Sequence, residues 1–169
     1  MEPSQKEILT RALTSAFDKF ISAFSAFDAD RINMQPFPGS WTPAQVVVHI
    51  ILATDGVPDG ETRSAERPAD ALLPGIRVWW EDLSQKFEAP EPLRPDETPR
   101  TKESLLSELH RVRKKDLEIV VNKDLSAICL DFELPHTGFL TRLEWLWFIE
   151  MHLNRHTFQL AGIKSKFKV

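Results

Sequence analysis

The sequence predicts an all-α protein: a four-helix bundle in up-down-down-up order, with a long crossover between helices two and three that contains a short extra helix. Three observations predict it. Four long segments carry apolar residues at three- and four-residue spacing. Two of those segments open on a capping box. Only one connection, Gly56 to Arg100, is long enough to cross from one end of a bundle to the other.

In the first helix, Leu9, Leu13, Phe17, Phe20, Phe24 and Phe27 lay one apolar stripe from about Ser4 to Phe27. The second opens on WTPAQV. Thr42 is a good N-cap, Pro43 suits the first helical position, and Gln45 completes the box, with Trp41 and Val46 flanking it as a hydrophobic staple. This helix should run to about Thr54 and stop at the glycines and proline of DGVPDG. Within the crossover, PGIRVWWEDLSQKF (Pro74 to Phe87) is expected to form a short helix. APEPLRPDETP (Ala89 to Pro99) holds four prolines and should be neither regular helix nor sheet.

The third helix should run from about Thr101 to Asp124 on Leu105, Leu109, Val112, Leu117 and Val120. AICLDFELP, from Ala127, alternates as a strand would. With no second strand signal to pair with, it is expected to be an extended connector pinned by Ile128, Leu130 and Phe132. The fourth helix starts at Thr141 with Glu144 completing a second box, Leu140 and Trp145 repeating the staple, and continues to about Ile163.

At 169 residues, with 42% hydrophobic and 27% charged residues and a mean hydropathy of -0.26, the chain is expected to be one domain, residues 1–169, with a sizeable core. A net charge of -4 and a pI near 5.7 leave no electrostatic footprint for nucleic acid. The basic clusters, His110 to Lys115 and Lys164 to Val169, are read as a solvated helix face and a fraying terminus. Val46 to Ala53 is the most apolar run and far too short to span a membrane. Met1 to Glu7 is polar and enters the first helix directly, and the single cysteine suits a reducing compartment, so the expectation is cytoplasmic. Helix one's phenylalanines and the five tryptophans leave room for a homodimer.

WLWFIEMHLNRHTFQL places His152 and His156 one turn apart on the apolar Trp145, Ile149, Leu160 line of helix four. His49 sits inside VVVHII on helix two. Each imidazole on an apolar face needs a polar partner, and the flanking side chains offer almost none. A metal ion answers that need, since neutral imidazole ligates Zn, Ni or Fe. With helices two and four antiparallel, His49 and His156 each lie about seven residues from the shared end, level to within roughly one turn. The metal hypothesis therefore selects the up-down-down-up order. Separate polar niches for the three rings are the alternative.

GSWTPAQVVVHIILAT, followed far downstream by PHTGFLTRLEWLWFIEMHLNRHTFQLAGI, resembles the DinB-like superfamily, a group of metal-binding four-helix bundles that includes YfiT-like proteins and thiol-dependent S-transferases. The resemblance covers both ends of the bundle, while Val57 to Pro99 carries no recognisable motif. It implies one histidine ligand on helix two and two on helix four, by position His49, His152 and His156.

Three neutral histidines would leave the metal its full charge and an open position. It could lower the pKa of bound water to ~7, or hold a thiol as thiolate. The zincin pattern is absent, because Leu153 follows His152 where a glutamate is needed. The only Glu-x-x-His, Glu133 to His136, contains Pro135 and disfavours a di-iron site. Cys129 has no predicted basic neighbour to make it a nucleophile, and His110 reads as structural. His136 is expected to shape the turn before helix four, with a place at the metal's mouth as the alternative. Trp79 and Trp80 would pack the core or roof a substrate pocket. The expected function is metal-dependent transfer of a low-molecular-weight thiol to an electrophilic small molecule, the reaction being implied by the resemblance, with metal-hydroxide hydrolysis as its relative. The alternative is a non-catalytic metal- or ligand-binding stress-response protein.

Overall fold

The computed structural model describes residues 4–167. Residues 1–3, the start of the polar Met1 to Glu7 stretch, and 168–169, the end of the basic tail, lie outside them. The described residues are mostly helical, with five α-helices and one small two-stranded ribbon among them. In order these are α1 (Gln5–Ser25), α2 (Pro43–Thr54), β1 (Thr62–Arg63), α3 (Leu73–Trp80), α4 (Lys102–Asn122), β2 (Ile128–Cys129) and α5 (Arg142–Lys166).

Side-chain caps start the four long helices. Thr42 with Gln45 and Thr141 with Glu144 close reciprocal boxes, satisfying amide donors that a helix leaves unpaired at its start. Ser4 and Glu7 form a third such box at α1, and Thr101 caps α4 through the Ser104 amide. Both α1 and α2 pack against α4 and α5. Leu9, Leu13, Phe17, Phe20 and Phe24 of α1 are fully buried, and Val46, Val47 and Ile50 of α2 join the same core. Each such side chain contributes ~1.5–3 kcal/mol relative to exposure. A second apolar cluster gathers Ile76 of α3 with Cys129, Leu140, Trp145, Phe148 and Met151.

The connector after α4 departs from expectation. Ile128 and Cys129 pair antiparallel with Arg63 and Thr62. The partner strand could not be read from sequence because Thr62 and Arg63 are both exposed, so no apolar alternation marks them. The pinning residues change too: Cys129 is buried beside Ile128, whereas Phe132 is exposed. On α4 the buried line includes Asp116 while Leu117 is only half-buried. Within the crossover, the short helix is confined to Leu73–Trp80, and the proline-rich stretch holds a single 3-10 turn, Glu91–Leu93.

The start of α5 is tied to the crossover. The Glu144 carboxylate is fully buried and accepts both Nη groups of Arg67, at 2.7 and 2.8 Å, and the Leu72 amide at 2.7 Å. Thr141 donates its hydroxyl to the Ala69 carbonyl at 2.6 Å. One glutamate therefore caps a helix and anchors a loop.

Candidate metal centre

His49 projects from the middle of α2, and His152 and His156 from consecutive turns of α5. The three rings meet. Centroid separations are 5.1 Å (His49 to His152), 4.8 Å (His49 to His156) and 4.6 Å (His152 to His156). One nitrogen from each lies within 4.8 Å of the others. His49 and His152 are 3% and 6% exposed, so their nitrogens are shielded from bulk water and need partners inside the protein.

The outward nitrogens decide how the inner ones are presented. His49 donates Nδ1–H to the Leu93 carbonyl at 2.8 Å, which leaves a lone pair on Nε2. His156 donates Nδ1–H to Gln159 Oε1 at 2.6 Å, with the same consequence. His152 Nε2 faces His49 Nε2 at 3.0 Å, and its Nδ1 has no hydrogen-bond partner among the described residues. Nitrogens bound tetrahedrally to one zinc ion at ~2.0–2.1 Å stand about 3.3 Å apart, a separation the 3.0 Å pair and the 4.8 Å limit bracket. The donor set fits one metal ion held by three imidazoles.

Burial also keeps the rings neutral. It lowers the pKa of His49 against the opposing pull of the Leu93 carbonyl. It drives His152 well below the ordinary imidazole value, with further lowering from His156 and His49. His156 is brought down to about 4, again chiefly by burial. At pH 7 all three are unprotonated, the form a metal requires.

Aromatic side chains wall the cluster. The Trp80 and Phe148 rings stand 5.4 and 5.5 Å from that of His152, and Trp41 stands 5.1 Å from His49. Trp79, by contrast, is 60% exposed. His136 is exposed at φ +63°, in the turn bridging Leu134 and Gly138, and His110 is exposed on α4. Cys129 is buried, its thiol pushed up to about 12 by burial, which leaves no thiolate at neutral pH. Glu150 turns to another face of α5 and accepts from Asn154 at 2.6 Å.

Two contributors escaped the sequence reading: the Leu93 carbonyl and Gln159. A backbone carbonyl has no signature in sequence. Gln159, three residues after His156, was available as a signal, since i,i+3 side chains meet on a helix.

Fold and cluster together define a helical protein with a three-histidine group, two of its rings buried and the third half-buried, suited to a metal ion. The chain belongs to the DinB superfamily, whose family model matches residues 12–160. No curated protein and no solved structure matches it. No helix among the described residues is long and apolar enough to cross a membrane.

Proposed function

We propose that this protein is a metal-dependent enzyme that transfers a low-molecular-weight thiol to an electrophilic small molecule, with His49, His152 and His156 holding one Zn, Ni or Fe ion. The observation that carries the reading is the convergence of three neutral imidazole nitrogens, which leaves a coordination position free of protein ligands. When bound, the metal would supply Lewis acidity and keep a thiol ionised at neutral pH, or a water in the hydrolytic variant.

The chain's own residues orient and enclose. Leu93 and Gln159 fix the tautomers of His49 and His156, and Trp41, Trp80 and Phe148 keep water from the rings. No protein nucleophile is called for. The reading takes residues 1–169 as one domain and the four long helices as an up-down-down-up bundle, in the cytoplasm, with a homodimer compatible and neither nucleic acid nor membrane as partner. The depth at which His49 and His152 are buried favours a second reading, a non-catalytic metal- or ligand-binding protein of the stress response.

Elemental analysis of protein prepared without chelator or nickel resin tests the centre. About one metal per chain is expected in wild type and none in a His152→Ala, His156→Ala double variant. Thiol conjugation to a panel of electrophiles, lost on metal removal, separates the enzyme from the binding protein. An empty wild type that also fails to take up added Zn or Ni would sink the enzyme and leave, of the second reading, only the binding of a ligand other than a metal.

A further inference from the structure

The crossover touches His49 and His152 and is tied to both helices that carry the three rings. On the α2 side, the Leu93 carbonyl takes the Nδ1–H of His49 at 2.8 Å, and the Asp96 carbonyl takes Nε2–H of Gln45 at 3.2 Å. On the α5 side stands Arg155, between His152 and His156 in sequence. Its Nη1 donates to the carbonyls of Trp80, at 3.3 Å, and Asp82, at 3.0 Å, and its Nη2 donates to that of Gln85. The guanidinium lies 4.9 Å from the Phe87 centroid and 6.0 Å from that of Trp80, and those two rings stack at 4.7 Å. Trp80 in turn faces His152. Between these ties the segment has little core of its own, because Glu81 to Glu88 are all exposed.

We propose that Trp80 to Leu93 is a strap whose closure is coupled to metal loading, with Arg155 as the positioning residue that links it to the metal-binding helix. The inference rests on the metal reading above. A metal held by His49 would draw electron density from the ring and make its Nδ1–H a stronger donor to the Leu93 carbonyl. Strap closure and metal affinity must then favour each other by the same factor. A segment with few buried apolar contacts opens at low free-energy cost, so a few hydrogen bonds decide its state. Arg155 supplies three of them in one side chain.

The test is backbone hydrogen exchange of residues 81–93 in metal-free and Zn-loaded wild type, beside Zn titrations of wild type, Arg155→Met and the His152→Ala, His156→Ala variant. Zn should slow exchange of the strap about tenfold or more. Arg155→Met should exchange fast there with or without Zn, and bind Zn about 10–100-fold more weakly, with its long helices protected as in wild type. A purely structural tie would loosen the strap without touching Zn affinity. One Zn per chain with strap exchange unchanged overturns the coupling and leaves the metal reading standing. Zn uptake that survives the double histidine substitution, or no uptake at all, overturns both. The wild-type comparison uses no variant and stays decisive if Arg155→Met misfolds.

Discussion

Gln159 receives the Nδ1–H of His156 at 2.6 Å and so holds the ring with its other nitrogen turned inward. Partners of this kind tune ligand orientation and basicity, so Gln159→Leu should weaken Zn binding by about 10–100-fold. Competition against a chromophoric chelator would measure it, and an unchanged affinity would mean that packing alone orients His156. Asp116 is a residue-scale case of a different sort. Its side chain is buried on α4, one oxygen accepts the Gly56 amide at 3.1 Å, and the other has no partner among the described residues. Burial raises its pKa to about 8, against ~3.9 for an unfolded aspartate. The folded state therefore binds the extra proton between those values. Its contribution is complete below about pH 4 and is lost as pH rises through about 8, by at most ~1.4 kcal/mol per unit. Denaturant unfolding at pH 5 and pH 8 should show wild type losing more stability than Asp116→Asn. Parallel slopes for the two proteins would count against a protonated Asp116.

At the scale of an element, the start of α5 concentrates the greatest dependence on one side chain. Glu144 closes the capping box, pairs with Arg67 and receives Leu72, while its own carboxylate is out of contact with water. Breaking a buried pair from one side leaves the other charge uncompensated at ~3–5 kcal/mol. Arg67 retains partial exposure, so Glu144→Gln should cost about 3 kcal/mol, read from the urea midpoint at constant m. Thr42→Ala at the start of α2 should cost only about 1 kcal/mol, because its cap is one hydrogen bond at a half-exposed end. Equal costs for the two would contradict the role given to Arg67.

For the whole molecule, a metal held between α2 and α5 would bind the folded chain and not the unfolded one, and so would stabilise it. At a free Zn concentration a hundred times Kd the gain is ~2.7 kcal/mol. For a domain of this length that is a rise in Tm of about 5–10 °C. Calorimetry with and without Zn should show the rise, EDTA should reverse it, and the double histidine variant should lack it. An equal rise in that variant would place the ion elsewhere.

Helix positions were legible because local chemistry determines them. The boxes at Thr42 and Thr141 place two starts directly, and a spacing near 3.6 residues shows which face each helix buries. His49, His152 and His156 were legible as candidates for the same reason, since an imidazole on an apolar face carries an unmet demand for a partner. Their convergence could be expected only by assuming that the two helices run antiparallel, or from the family resemblance. It depends on how α2 and α5 pack, which no local pattern encodes. The ribbon of Thr62–Arg63 with Ile128–Cys129 stayed hidden because exposed strand residues leave no hydrophobic signal. Asp116 carries no sign of burial in its sequence neighbourhood, and only packing puts it inside. Sequence by itself determined the helices, their apolar faces and the donors a metal could use, all of them consequences of neighbours within a few residues. Only the tertiary structure decided which nitrogens meet, that the Leu93 carbonyl and Gln159 aim them, and that the crossover touches His49 and His152. Those contacts include one across 103 positions, His49 to His152, where chain entropy and packing set the outcome.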